Sequence, residues 1–262
     1  MRRLHLIEIE DEPWCPAPIR DAATDYLQFA ERVGDAYGPV VPVLERALDR
    51  AGASRVLDLC SGGGGPWPAI AERLARSGRE VEVRLTDYYP NVPAFERASR
   101  ASGGRISYVA EPVDATSVPA DLEGFRTLFT GFHHFEPARA RAILRDAAEK
   151  RRPIAVFEVT ERKAAPAAAM LLMPLVVALA TPFIRPFRWS RLFWTYVVPA
   201  VPALVTWDGL VSCLRTYTPA ELREMTGEIG ARDYTWEIGQ VPSGKGPLSL
   251  TYLVGMPDAS RE

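Results

Sequence analysis

The sequence predicts an α/β fold: a seven-stranded, mostly parallel, doubly wound sheet with one antiparallel strand, an N-terminal helical cover and an apolar helical insertion. Three observations predict it. From Arg55 onward, short apolar runs alternate with amphipathic stretches long enough to be crossover helices. The last two apolar runs are separated only by Pro242 to Pro247, too short for a helical crossover, so they pair antiparallel. Residues 164–214 break this rhythm with long uncharged runs.

Composition sets the frame. The chain has 262 residues, 47% hydrophobic and 24% charged, which suits a globular domain with a sizeable core. Lys+Arg 31 against Asp+Glu 33 leaves a formal charge of -2, so no basic footprint for nucleic acid is expected. Cys15, Cys60 and Cys213 lie far apart without CxxC spacing, which argues against a disulfide framework or a metal site. The first residues turn acidic after two arginines and form no apolar leader core, so a cytoplasmic location is expected.

The elements follow in order. In the cover (1–53), Ala22, Tyr26, Phe29 and Ala30 share one helical face, and Val41, Leu44 and Leu48 share another. The α/β part (54–163 and 215–262) opens with the strand Val56–Leu59, a glycine cluster and a helix over Pro68–Ser77. Glu80–Thr86 alternates as a strand ending at Asp87, a helix spans Val92–Ser102, and Ile106–Ala110 is a strand ending near Asp114. Arg126–Thr130 and Pro153–Val159 are strands on either side of a helix over Glu136–Lys150. After the insertion, Thr218, Pro219 and Glu221 form a helix start with capping-box spacing. Asp233–Gly239 and Leu248–Val254 close the sheet.

The stretch Arg55-Val-Leu-Asp-Leu-Cys-Ser-Gly-Gly-Gly-Gly-Pro66 carries the chemistry. Glycines between a buried strand and a helix let backbone N–H groups approach a ligand with no Cβ in the way. The dinucleotide pattern GxGxxG fails, because its third glycine would fall at the bulky Trp67. No GKS or GKT follows, which excludes an NTP phosphate loop.

This stretch resembles the first motif of class I S-adenosylmethionine-dependent methyltransferases. Asp58 matches the acidic position, Gly62 and Gly64 match the second and third turn glycines, and Cys60 stands where the first glycine is usual. The resemblance covers about residues 53–162 and 218–257 and implies a Rossmann-like fold with S-adenosylmethionine as cofactor. It implies cofactor contacts from Asp58, Ser61, Gly62, Gly63 and Gly64. Asp87 and Tyr88 would follow at the ribose, Asp114 and Ala115 at the adenine, and Thr130 after the fourth strand. A carboxylate at Asp87 can accept hydrogen bonds from both ribose hydroxyls.

Methyl transfer needs an acceptor atom aligned with the breaking bond, and a general base only where the acceptor is protonated at neutral pH. His133 and His134, after the fourth strand, and Glu158, at the end of the fifth, are the candidates for that base. The alternative is structural: one histidine packs on the cofactor loop, the other caps the next helix, and Glu158 is a buried, hydrogen-bonded carboxylate.

Ala164 to Ile184 carries no charge over 21 residues, and a second apolar run spans Leu192 to Trp207. Three readings stay open: a cap over the acceptor pocket, a membrane-interface hairpin through residues 164–207, or a transmembrane span. In the hairpin reading, Trp189, Trp194, Tyr196 and Trp207 sit at headgroup depth while Arg185, Arg188 and Arg191 meet lipid phosphates. That reading places the protein at the inner face of the membrane. Asp208 and Arg215, in an apolar setting, are expected to pair with each other, with substrate orientation as the alternative, and the acidic run from Glu8 is expected to be solvated, with folding over the site as its alternative. The expected activity is O-methylation of a small hydrophobic, lipid-associated acceptor. A non-catalytic, membrane-associated protein of the same fold is the alternative, its main support being the altered glycine at Cys60. The sequence leaves the oligomeric state open.

Overall fold

The computed structural model describes residues 1–243 and 249–258. The strands are β1 (Arg55–Asp58), β2 (Glu82–Leu85), β3 (Ile106–Tyr108), β4 (Phe125–Phe129), β5 (Ile154–Glu158), β6 (Tyr234–Pro242) and β7 (Ser249–Pro257). The helices are α1 (Ala17–Gly34), α2 (Val41–Ala51), α3 (Trp67–Arg76), α4 (Val92–Ala101) and α5 (Pro137–Glu149). They continue with α6 (Ala164–Ala169), α7 (Met173–Ala180), α8 (Trp189–Leu192), α9 (Ala200–Arg215) and α10 (Pro219–Gly227).

The chain divides into two compact units, residues 1–36 with 160–217, and residues 37–159 with 218–262. The segments read from sequence as a cover (1–53) and an insertion (164–214) are thus grouped differently. The first 36 residues join the insertion in one body, whereas α2 belongs with the sheet.

The second unit holds all seven strands in the order β3-β2-β1-β4-β5-β7-β6. β1 to β5 pair parallel, and β7 pairs antiparallel with both β5 and β6, so β7 is the one reversed strand. The tight connection read at 242–247 lies largely outside the described residues, as does Leu248. β4 and β5 are buried at every position, as expected of central parallel strands covered on both faces, while β6 at the edge alternates. The core between sheet and helices includes Leu44, Leu48, Leu57, Leu74, Leu85, Phe95, Phe125 and Phe157, all fully buried.

Local chemistry sets the helix ends. The Asn91 side chain accepts the Ala94 N–H to start α4, and Thr218 and Glu221 form the full capping box that starts α10. Gly52, at φ +58, closes α2 in the left-handed conformation that leaves the chain free to turn into β1.

The first unit is helical. Ala22, Ala23 and Tyr26 of α1 pack with Val177 of α7, with Ile184, and with Val201, Leu204 and Val205 of α9. The two terminal nitrogens of the buried Arg191 bond to Asp25 of α1 and to the carbonyl oxygens of Ile184 and Pro186. Two expectations fail here. Asp208 does not pair with Arg215; its carboxylate accepts the N–H groups of Ile9 (2.7 Å) and Glu10 (3.0 Å). Arg215 instead meets Glu8 (3.2 Å) and Asp11 (3.3 Å), and Glu8 is buried rather than solvated. The reason is distance along the helix, because two residues seven apart lie on one face but about 10 Å from each other.

Candidate active site

The turn after β1 is built inward from Asp58. Its Oδ1 accepts the Thr127 hydroxyl at 2.6 Å and its Oδ2 accepts the Ser61 hydroxyl at 2.7 Å. Burial pushes the Asp58 carboxyl up to about 6, against the opposing pull of hydrogen bonds from Thr127 and Ser61. The sequence reading puts Asp58 in contact with the cofactor. In the structure its side chain is 1% exposed and braces the turn from below, with each oxygen accepting a side-chain hydroxyl.

Backbone bonds fix the rest of the turn. Ser61 N–H donates to Thr86 O at 2.9 Å, and Gly64 N–H donates to Ser61 O at 2.7 Å. Cys60, Gly62, Gly64 and Gly65 all have positive φ, at 57°, 51°, 105° and 54°. Cys60 therefore adopts the left-handed conformation that glycine favours. Its thiol is pushed well up by burial, with the carboxylates of Asp87, Asp58 and Asp114 adding to the effect. Gly62 is exposed, and a Cβ added there would meet nothing within 4 Å, so the turn presents its backbone to open space. The glycine cluster ends in the fully buried Trp67, which opens α3 and packs edge-on against Phe129 at 5.7 Å between ring centroids.

Asp87 lies two residues past β2 and points at this turn. Its Oδ2 accepts the Gly62 N–H and its Oδ1 the Tyr89 N–H, both at 2.8 Å. Burial raises the Asp87 carboxyl, while hydrogen bonds from Tyr89, Gly62 and Tyr88 and the nearby His134 act the other way. Tyr88 and Tyr89 are exposed beside it, their rings edge-to-face at 4.9 Å.

Asp114 does not end a strand as expected. β3 stops at Tyr108, and the chain returns to the site because Val113 N–H donates to Asp87 O at 2.8 Å. The Asp114 carboxylate is engaged locally, accepting the Thr116 N–H (2.9 Å) and hydroxyl (2.7 Å) and facing Arg139 at 3.4 Å. Burial raises its carboxyl, but the Thr116 bonds and Arg139 outweigh burial and hold it below the usual range. Ala115 beside it is buried.

Past β4, Thr130 sits at φ 43 and accepts the Tyr37 hydroxyl at 2.7 Å. Phe132–His134 form one turn of 3₁₀ helix that brings the two histidine rings within 4.4 Å of each other. Glu158, at the end of β5, reaches both parts of that turn. Its Oε1 accepts the Phe132 N–H at 2.8 Å and its Oε2 lies 2.7 Å from His133 Nδ1. His133 and Glu158 are both buried. The sequence candidates thus fall into two groups, Asp87 with the glycine turn and Tyr88, and Glu158 with the histidine pair. Tyr37, Thr86 and Thr127 went unnoticed in the sequence, since nothing in their spacing marks them.

This strand order, with its glycine turn after β1 and its single reversed strand, is the fold of class I S-adenosylmethionine-dependent methyltransferases. No family model matches the chain, and no curated protein matches it. Solved structures do. The plantazolicin methyltransferase BpumL, solved with S-adenosylhomocysteine, is 10% identical over 96% of this chain and 95% of its own, with a TM-score of 0.58. NcsB1, an O-methyltransferase of neocarzinostatin biosynthesis solved with S-adenosylmethionine and 2-hydroxy-5-methyl naphthoic acid, is 19% identical over 93% of this chain, with a TM-score of 0.52. An O-methyltransferase family protein from Burkholderia thailandensis is 17% identical over 92% of this chain and 63% of its own, with a TM-score of 0.51. This chain spans 59% of the length of NcsB1.

Proposed function

We propose that the protein transfers a methyl group from S-adenosylmethionine to a hydroxyl of a small hydrophobic acceptor. The observation that carries this reading is the junction of Asp87 with Gly62. A carboxylate is fixed beside an open glycine turn, and with about four lone-pair sites it retains capacity for sugar hydroxyls beyond the backbone N–H groups it already accepts. The residues present therefore fit the cofactor. Asp87 would hold the ribose, with Tyr88 beside it. Ser61, Gly62, Gly63 and Gly64 would line the turn, while Asp114 and Ala115 would lie at the adenine side and Thr130 at the end of β4. The bound cofactor would supply an electrophilic methyl group on a sulfonium.

The protein's own part is to orient the acceptor and take its proton. Glu158, as a carboxylate, accepts the Phe132 N–H and faces His133 Nδ1. A proton on Nδ1 makes Nε2 the basic nitrogen of the ring, the arrangement a general base requires. His134, packed on His133, is the second candidate for the proton. The acceptor class is supported by NcsB1, whose structure contains a hydroxylated naphthoic acid.

Calorimetric titration with S-adenosylhomocysteine tests the cofactor, with saturable binding expected and no heat at millimolar ligand overturning the reading. Mass spectrometry after incubation with S-adenosylmethionine and hydroxylated naphthoic acids tests the acceptor. A gain of one methyl group on oxygen is the expected product.

A further inference from the structure

Apart from Tyr88 and Tyr89, every exposed large hydrophobic side chain among the described residues belongs to the first unit. Most form one tract. Leu171, Leu172, Leu175, Val176, Leu179 and Phe183 project from the segment Ala164–Phe183, which is 20 residues long, apolar enough to cross a membrane and mostly unburied. Phe187, Trp189, Phe193, Tyr196 and Val197 project from the next segment, and the Tyr196 hydroxyl donates to Ala178 O, joining the two stretches. Soluble proteins seldom leave so much contiguous apolar surface open.

Charge decides what covers it. Between Arg162 and Tyr217 the one acidic residue is Asp208, which is buried and accepts backbone N–H groups of the N-terminal segment. The exposed charges bracketing the tract are the cations Lys163, which is paired with Glu161 at 2.6 Å, and Arg185. Two copies meeting on this face would set Arg185 against an apolar tract with no exposed acid to pair it. An anionic headgroup layer offers Arg185 a partner, and tryptophan, tyrosine and phenylalanine rings suit the boundary beneath it.

The segment does not present all its faces to lipid. Val177, Thr181 and Ile184 are buried, and Val177 and Ile184 pack with Ala22, Ala23 and Tyr26 of α1, a helix that carries Asp21, Asp25, Glu31 and Arg32. A helix bound along one side to a charged helix cannot be surrounded by hydrocarbon. Of the three arginines expected at the phosphates, Arg191 is buried against Asp25 and Arg188 faces Asp25 at 3.5 Å, which leaves Arg185 exposed.

We propose that this face of the first unit docks on the surface of a bilayer rich in anionic lipid and lies in its interface without spanning it. The proposal goes beyond the methyl-transfer reading, and its test uses no catalytic readout. The full-length protein is sedimented with vesicles of phosphatidylcholine alone or mixed with phosphatidylglycerol. A variant combining Leu175→Gln, Leu179→Gln and Phe183→Gln is compared, with its fold checked by circular dichroism, as is Arg185→Glu. The wild type is expected to bind the anionic vesicles and to be released by high salt. The triple variant should bind more than about tenfold more weakly. Arg185→Glu should weaken binding only to the anionic vesicles. Failure of the wild type to sediment with either vesicle overturns the proposal. So does a lipid-free dimer, seen by light scattering, that the triple variant dissociates while vesicle binding is unchanged. Retention on vesicles through an alkaline wash would overturn the interfacial placement.

Discussion

Glu158 Oε2 lies 2.7 Å from His133 Nδ1, and the other oxygen of the same carboxylate accepts the Phe132 N–H. The glutamate thus fixes both the ring and the backbone turn that carries it. Glu158→Gln presents an amide N–H to Nδ1, which moves the proton to Nε2 and removes the proposed base. The expected result is a fall in kcat of about a hundredfold, with S-adenosylhomocysteine affinity unchanged, measured by initial rates and calorimetry.

Asp87→Ala removes the acceptor of the Gly62 and Tyr89 N–H groups together with the proposed ribose contact. Affinity for S-adenosylhomocysteine should drop by about tenfold or more, the worth of a hydrogen bond to a charged group. Asp87 is partly exposed, so the thermal midpoint should move little.

Asp58 gives a pH signature. Its carboxyl is raised by burial to about 6, above its value in an unfolded chain. A raised carboxyl contributes stability that is fully present below the unfolded pKa and lost as pH climbs through 6. The Asp58 share of that loss is about 3 kcal/mol. Urea unfolding at pH 4 and pH 7 should show the wild type losing more stability across that interval than Asp58→Asn, which does not titrate.

Asp25 and Arg191 are a buried pair in the first unit, their side chains 13% and 2% exposed. Asp25→Ala strands the guanidinium in the helical core, where only the carbonyl oxygens of Ile184 and Pro186 remain as partners. The expected cost is about 3–5 kcal/mol, read from the urea midpoint. Arg191→Met combined with Asp25→Ala should recover part of it.

Much of this molecule is legible in the sequence because strand and helix periods are local. Every strand of the sheet lies on an apolar run, and the reversed pair follows from a connection too short for a helix. Asp87 and the glycine turn were legible for the same reason, since each sits just past the end of a strand. His133 and Glu158 meet because β4 and β5 are neighbours in register, Phe129 beside Phe157, which sets the residues past both ends side by side. Contacts between distant segments left no such trace. Asp208 finds Ile9 and Glu10, Arg191 finds Asp25 and Tyr37 finds Thr130, and a helical period tells which face is buried but not what is buried against it. Asp114 was misplaced because the chain between Tyr108 and Asp114 follows β2 without completing a strand of its own.

Cys60 has a left-handed backbone that its own Cβ opposes, at a cost of about 1 kcal/mol. Such a conformation persists only where the surroundings impose it, and here Leu59, Ser61 and Gly64 are each tied by main-chain bonds to fixed oxygens. The bend is therefore stiff before any guest arrives. Its outline should be the same in the empty and the filled protein, so selectivity for the guest comes from a mould already cast and not from a loop that closes around it.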